Sequence, residues 1–235
     1  MDTVGVLGGM GPLATIDFMR KVLDATPAAR DQDHVPMIVS CLPQIPDRTA
    51  AFRGDGDSPL DAIVACGRRL QSAGANLIVM PCNTAHLWFD DVQQQLQLPM
   101  LHLVDAALRE ALELAGPDAR IGLLATDATI ASGLYINRRL PDAPPPQWLL
   151  PTAGEMLELV MTGIEAVKAG RLRDGQALLA DAARALKQRG ADVLVLGCTE
   201  IPLVLDTTAC GLRVVDATAA LARQVVARCR RADRP

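Results

Sequence analysis

The sequence has few aromatic residues, no cluster of like charges and no long hydrophobic run. Only 3% of the residues are aromatic, and the net charge of −4 is dispersed along the chain. Nucleic acid is a poor candidate partner, because its recognition uses basic patches and aromatic stacking platforms. No apolar stretch reaches the roughly 18 residues of a membrane-spanning helix, and no basic leader follows Met1. We therefore expect a cytoplasmic protein without a membrane partner.

Signals for disulfide bonds are also missing, although the chain has six cysteines. No two of them form a C-x-x-C pair. A chain of 235 residues, half of them hydrophobic, can bury a substantial core without covalent cross-links. We expect reduced thiols, so each cysteine has to be judged by its own neighbourhood.

Short apolar runs alternate with longer amphipathic segments, which is typical of βαβ units and a mainly parallel sheet. The pattern predicts strands at 4–7, 36–40, 76–80, 100–103, 120–125, 192–196 and 212–215. It predicts helices at 12–26, 58–73, 84–96, 105–115, 128–139, 154–169, 172–189 and 217–231. The fold class is therefore α/β.

An internal repeat divides the chain into two similar halves. SAGANLIVMPCNT at 72–84 matches QRGADVLVLGCTE at 188–200, so Cys198 lies 116 positions after Cys82. VGVLGG near the start is echoed by IGLLAT, and VDAAL by VDATAAL. The repeat predicts two pseudo-symmetric domains, each a mainly parallel sheet flanked by helices, with the active site in the cleft between them. Residues 1–103 plus 216–235 are assigned to the first domain and 104–215 to the second.

Each repeated cysteine follows an apolar strand and precedes a predicted helix. This is the carboxyl edge of a parallel sheet, where α/β proteins bind ligands, and a helix N-terminus there would lower a thiol pKa and hold a carboxylate. A single free cysteine is more often a small buried hydrophobic side chain. Its duplication in a matching context favours chemistry instead. Two opposed thiols suit stereochemical inversion, in which one removes an α-proton and the other protonates the opposite face.

The chain resembles the aspartate/glutamate racemase family in GVLGGMGPLAT (5–15), PQIPDRT (43–49), GANLIVMPCNTAH (74–86), IGLLAT (121–126) and GADVLVLGCTEIP (190–202). PCNTAH together with GCTE at this separation is the most specific part. The resemblance implies a homodimeric racemase that interconverts L- and D-aspartate, or glutamate, without pyridoxal phosphate or any other cofactor. Cys82 and Cys198 would be the opposed acid/base thiols, and a cysteine at the first position resembles the aspartate-preferring relatives.

The same resemblance implies roles for further residues. Asp47 and Glu200 would assist the thiols in catalysis, and Arg48 would bind a substrate carboxylate through its planar guanidinium. Further substrate contacts would come from Met10, Asn83, Thr84, Thr126, Thr199 and Lys168. Asn83, Thr84 and Thr199 could also act only as helix caps. Compared with the family pattern, the sequence has a deletion of one residue shortly before Lys168. On a helix such a deletion would rotate Lys168 by about 100°.

Several alternative functions stay open on the sequence alone. Gly9, Gly11 and Ala14 satisfy the dinucleotide-binding pattern G-x-G-x-x-A, but the second strand lacks the acidic residue that binds the ribose. Cys82 and His86 have a metal-ligand spacing, yet no third ligand is evident, so no metal is expected. No lysine lies in a recognisable pyridoxal phosphate pocket. A hydantoin racemase, a decarboxylase or a non-catalytic amino-acid-binding protein are the remaining alternatives.

Overall fold

The computed structural model describes residues 2–116 and 118–231. The chain folds into two compact units. The first contains the described residues up to Leu103 and from Thr218 onward, and the second contains Val104–Ala217. The chain thus leaves the first unit once and returns to it with its last helix. The sequence had placed the second boundary slightly earlier, after Val215.

Each unit is built on a four-stranded parallel sheet. The strands are β1 (Val4–Gly8), β2 (Met37–Cys41), β3 (Leu77–Val79), β4 (Met100–Leu101), β5 (Arg120–Ala125), β6 (Gln147–Leu149), β7 (Val193–Gly197) and β8 (Arg213–Asp216). Their spatial orders are β2-β1-β3-β4 and β6-β5-β7-β8, and all paired neighbours are parallel. The matching orders confirm the prediction of two similar α/β halves.

Helices cover these sheets, and the central strands are consequently apolar on both faces. In chain order the α-helices are α1 (Pro12–Ala25), α2 (Arg48–Arg53), α3 (Leu60–Ser72), α4 (Phe89–Leu96), α5 (Leu103–Ala115), α6 (Asp127–Ala131), α7 (Ala153–Glu155), α8 (Thr162–Lys168), α9 (Leu172–Gln188), α10 (Thr207–Cys210) and α11 (Ala217–Arg231). Short 3₁₀ helices lie at Asp31–Asp33, Thr84–Trp88 and Ile201–Leu203, and a π-helical stretch, Met156–Met161, joins α7 to α8. Within the described residues, no helix combines the length and apolarity needed to cross a bilayer.

The predicted elements are mostly present, and the exceptions have local causes. β6 is only three residues long and follows three prolines, so its apolar run is too short to detect. The predicted helix 128–139 ends at Ala131 because Gly133 adopts a left-handed φ of +72°. α2 and α10 are single short helices without a periodic pattern.

In each half, the helix that follows the fourth strand belongs to the other unit. In the first unit, Lys21 of α1 donates a hydrogen bond to Thr218 of α11 at 2.8 Å. In the second unit, Arg138 binds Asp105 of α5 through two hydrogen bonds of 2.6 and 2.8 Å. Lys21 and Arg138 occupy corresponding positions of the repeat. A polar contact from the same position of the repeat therefore holds the incoming helix in both units, as a hydrogen bond in the first and an ion pair in the second.

Glycine allows α8 and α9 to pack closely. A Cβ at Gly175 would lie 2.5 Å from Val167 Cγ2 and 3.0 Å from the backbone oxygen of Gly163. A Cβ at Gly163 would lie 2.8 Å from Leu179 Cγ. Because Lys168 is the last residue of α8, this packing fixes the helix end that carries one of the predicted substrate contacts.

We predict that Gly175→Ala is destabilising by about 1–3 kcal/mol relative to a control variant, because the added methyl group meets backbone atoms that cannot move easily. The matched control is Gly154→Ala on α7, where an added Cβ meets nothing within 4 Å and alanine favours the helix. Chemical denaturation measures the free energy of unfolding of both. Equal stability of the two variants would contradict the close packing.

Candidate active site

Cys82 and Cys198 lie at the carboxyl ends of corresponding strands. β3 ends at Val79, shortly before Cys82, and β7 ends at Gly197, directly before Cys198. Both side chains are buried, with exposed fractions of 6% and 5%. Each thiol is thus at the sheet edge where parallel α/β folds bind ligands.

The segments after the two cysteines differ from the predicted helices. Thr84–Trp88 is a 3₁₀ helix, and α4 begins only at Phe89. The loop after Cys198 leads into the three-residue 3₁₀ helix Ile201–Leu203. The prediction of an α-helix N-terminus beside each thiol is therefore wrong, because the chain turns more tightly after both cysteines than an α-helix does.

The predicted capping role is also wrong for Asn83 and Thr199. The Asn83 side chain makes no capping hydrogen bond to Thr84–Trp88. Thr199 Oγ1 instead donates to Glu200 Oε2 at 3.0 Å. Asn83, Thr84 and Thr199 are all buried, and their substrate contacts stay predictions.

Cys198 is bound to a buried carboxylate. Its Sγ donates to Glu200 Oε2 at 3.1 Å, and only 7% of Glu200 is exposed. Burial raises the pKa of the Cys198 thiol well above its usual range, the charge of Glu200 raises it further, and the positive charge of Lys168 lowers it. The expected lowering of this pKa is thus wrong. In the resting protein Cys198 is a protonated thiol that donates to Glu200.

Lys168 reaches the surroundings of Cys198 despite the missing family residue. α8 packs beside the 3₁₀ helix that follows Cys198, and the charge of Lys168 acts on that thiol from an exposed position. The π-helical stretch upstream shifts the angular register of the residues on either side of it. The Thr162 hydroxyl donates to Leu157 O at 2.9 Å within this altered segment. The helix therefore has a local means of adjusting its register.

Tyr135 is a neighbour of Cys198 that the sequence did not identify. It is the only tyrosine of the chain and is completely buried. A Cβ at Gly197 would lie 3.3 Å from its ring. Burial raises the pKa of the Tyr135 phenol, the charge of Asp216 raises it further, and a thiolate at Cys198 would act in the same direction. The only sequence signal for Tyr135 was that it is the single tyrosine of a chain with few aromatic residues. That signal does not indicate where the residue lies in the fold.

Arg48 is oriented by the backbone of its own loop. Its Nη1 donates to Ile45 O at 3.2 Å and to Pro46 O at 3.0 Å. Its Nε is buried and has no hydrogen-bond partner among the described residues. α2, which begins at Arg48, packs beside Thr84–Trp88. Arg48 therefore belongs to the same part of the first unit as the segment after Cys82.

Asp47 and Thr126 have structural roles in the resting protein. Asp47 is exposed, and its Oδ1 accepts from Ala50 N at 2.8 Å as the cap of α2. Thr126 Oγ1 accepts from Thr129 N at 3.2 Å as the cap of α6. Met10 is buried in the same apolar cluster as Cys82. The predicted roles of these three residues at a substrate stay predictions.

The structure offers little to the metal and dinucleotide alternatives. Both ring nitrogens of His86 are engaged, Nδ1 at 2.8 Å from Cys82 O and Nε2 at 3.0 Å from Leu103 N. Within 2–116 and 118–231, no three His, Cys, Asp or Glu side chains could jointly hold a metal ion. Gly9 N, which a phosphate would need, donates to Thr15 Oγ1 at 2.8 Å.

Comparison with solved structures identifies the class of protein. The aspartate racemase of Picrophilus torridus matches with a TM-score of 0.84 and 31% sequence identity, covering 97% of this chain and 94% of that chain. The glutamate racemase of Francisella tularensis subsp. tularensis SCHU S4, solved with D-glutamate, shares the fold with a TM-score of 0.66 at 16% identity, covering 98% of this chain and 82% of that chain. The chain, which contains the same sheet twice, is therefore an amino-acid racemase, which is a class of isomerase.

Sequence comparison identifies the family. The chain belongs to the Asp/Glu/Hydantoin racemase family, whose sequence model matches residues 7–225. The broad specificity amino-acid racemase RacX of Bacillus subtilis (strain 168) is 30% identical over 237 residues, 95% of this chain and 96% of that protein. The predicted resemblance and enzyme class are confirmed. The substrate and the mechanism stay predictions.

We predict opposite effects of two charge-removing variants on the reactivity of Cys198. Glu200→Gln should lower the pKa of the thiol and speed its alkylation by iodoacetamide at a fixed alkaline pH, because a thiolate is the reacting form. Lys168→Met should raise the pKa and slow alkylation. Mass spectrometry of the peptide containing Cys198 measures both rates across pH.

Lys187→Met is the matched control for loss of a lysine, since Lys187 Nζ binds Gly211 O and does not contribute to the pKa shift of Cys198. It should leave the alkylation profile unchanged. Shifts of the Glu200 and Lys168 variants in the same direction would contradict the electrostatic assignment.

Proposed function

We propose that the chain racemises aspartate, with glutamate as the nearest alternative substrate, by a two-base mechanism without pyridoxal phosphate. The observation that carries the proposal is the pair of buried cysteines, Cys82 and Cys198, at equivalent strand ends of two repeated sheets. The similarity to an aspartate racemase at 31% identity supports the choice of substrate. The proposal includes the cytoplasmic location and the homodimer expected from the sequence.

Inversion of configuration assigns complementary tasks to the two thiols. The Cys82 thiolate removes the α-proton of one enantiomer, and the Cys198 thiol donates its proton to the opposite face of the same carbon. After this turnover Cys82 carries the substrate proton and Cys198 is a thiolate, which is the starting state for the other enantiomer. The hydrogen bond from Cys198 to Glu200 supports this assignment, because it keeps the resting thiol protonated.

The substrate carboxylates need cationic and hydrogen-bonding partners. In the proposal Arg48 binds one carboxylate, with its buried Nε as one available donor. Lys168 contributes positive charge on the side of Cys198. Further contacts are assigned to Met10, Asn83, Thr84, Thr126 and Thr199, and proton-holding roles to Asp47 and Glu200. Donors aimed at the carboxylate where negative charge grows offset the low acidity of the α-proton.

The related alternatives differ in substrate or in chemistry. A substrate range wider than aspartate is favoured by one observation, the 30% identity with a broad specificity amino-acid racemase over nearly the whole chain. A non-catalytic amino-acid-binding protein would have no need for two matched thiols. A hydantoin racemase or a decarboxylase would use a substrate with a different set of charged groups.

We predict that Cys82→Ala and Cys198→Ala each abolish racemisation, while each variant still exchanges the α-proton of one enantiomer with solvent. The remaining thiol can remove a proton from its own face and return a solvent deuteron there. NMR in D₂O with L- and D-aspartate measures the exchange, and polarimetry measures racemisation. Cys210→Ala is the matched control, a buried cysteine outside the strand ends. Full racemisation by either single variant would refute the two-base scheme.

We predict that racemisation by the purified protein is independent of added pyridoxal phosphate and is fastest with aspartate. A panel of enantiopure amino acids, assayed by chiral chromatography with and without the cofactor, tests both statements. A dependence on pyridoxal phosphate would contradict the proposed mechanism. Faster turnover of a neutral amino acid would contradict the proposed substrate.

A further inference from the structure

His86 connects the peptide group of Cys82 to the start of α5. Its Nδ1 lies 2.8 Å from the carbonyl oxygen of Cys82, and its Nε2 lies 3.0 Å from the backbone nitrogen of Leu103. Both distances are those of ordinary hydrogen bonds. Only 3% of His86 is exposed, so water is not a ready substitute for either partner.

The two partners determine the protonation state of the ring. The Cys82 carbonyl can only accept, so Nδ1 has to carry a proton, and the Leu103 amide can only donate, so Nε2 has to be unprotonated. Only the neutral imidazole with hydrogen on Nδ1 satisfies both bonds. The hydrogen bonds therefore specify one tautomer out of the three forms of a histidine side chain.

Aromatic neighbours restrict the orientation of the His86 ring. Phe89 stacks on His86 with ring centroids 5.3 Å apart and planes inclined by 15°, and His102 meets it edge-on at 4.7 Å. Such packing leaves the imidazole few alternative orientations. The hydrogen bond to Cys82 is consequently made by a rigid group.

The two thiols are supported in different ways, although their sequences repeat. In the repeat, Thr84 corresponds to Glu200, so Cys82 has no counterpart of the carboxylate that binds Cys198 Sγ. His86 in turn corresponds to Pro202, which has no hydrogen-bonding side chain. Cys198 is therefore held at its sulfur atom, whereas Cys82 is held through its backbone.

We propose that His86 is a positioning residue for Cys82, a role that rests on the proposed function of this thiol. Cys82 N donates to Met80 O at 2.8 Å, and Cys82 O accepts from His86. With the peptide groups on both sides fixed, the direction of the Cα–Cβ bond is fixed, and the location of Sγ then depends only on the rotation about that bond. Displacement of a reacting group by about 1 Å can cost on the order of a hundredfold in rate.

The tautomer of His86 tests the contact without any assay of activity. In the full-length wild-type protein, ¹⁵N–¹H NMR correlations of the imidazole at neutral pH should show a proton on Nδ1 and an unprotonated Nε2. A proton on Nε2, in either the other neutral tautomer or the imidazolium, would overturn the proposal.

The catalytic consequence is tested by the exchange of α-protons in D₂O. Cys82→Ala first shows which enantiomer loses its exchange, and this enantiomer is the one that Cys82 deprotonates. His86→Leu should lower the exchange rate of that enantiomer, relative to the other, by about tenfold or more. His86→Asn should restore most of the ratio, because its amide can donate to Cys82 O from near the position of Nδ1.

The ratio of the two exchange rates separates positioning from general destabilisation. Partial unfolding lowers both rates together and leaves their ratio unchanged, and this result for His86→Leu would overturn the proposal. His34→Leu is the matched control, because it removes a histidine from outside this aromatic cluster and should preserve the ratio. Absence of exchange in the wild type with every amino acid would refute the proposed function, and the NMR tautomer would still decide the contact of His86.

Discussion

The structure depends on the burial of two short parallel sheets from both faces. β1, β3 and β7 are buried along their whole length, and helices have to cover them because parallel strands of this kind have no solvent face. The chain therefore emerges from each sheet only at its strand ends. A cysteine at such an end is buried as well, and this burial raises the pKa of Cys198. The chemistry of the thiol is set by its position in the fold before any neighbouring group acts on it.

Backbone repetition and chemical asymmetry coexist in the molecule. The two sheets have the same strand order, and Lys21 and Arg138 fasten an incoming helix at matching positions. The surroundings of the thiols have diverged within this common frame. The carboxyl group of Glu200 accepts a hydrogen bond from the sulfur of Cys198, and the imidazole of His86 hydrogen-bonds the carbonyl oxygen of Cys82. A racemase that acts on two mirror-image substrates can thus hold its two thiols through different neighbouring groups.

The sequence predicted the strands well because each central strand is an apolar run between turn residues, which is a local and strong signal. It predicted the wrong helices after the cysteines, since the choice between a 3₁₀ and an α-helix depends on packing from distant segments such as α2 and α8. β6 was too short to detect. At the site, the repeat located both cysteines and the family resemblance indicated Glu200, but Tyr135 is far from Cys198 in sequence and meets it only through the fold of the second unit. One of the two hydrogen bonds of His86 likewise involves Leu103, which belongs to none of the sequence motifs.

The return of the last helix to the first unit has a consequence for biosynthesis. All residues of the second unit, Val104–Ala217, leave the ribosome before Thr218 does. The first unit, although it begins the chain, cannot form the hydrogen bond from Lys21 on α1 to Thr218 until α11 has been made. The order in which the units become complete is therefore the reverse of the order in which they begin, and the usual progress of folding from the N-terminus has to wait for the final helix.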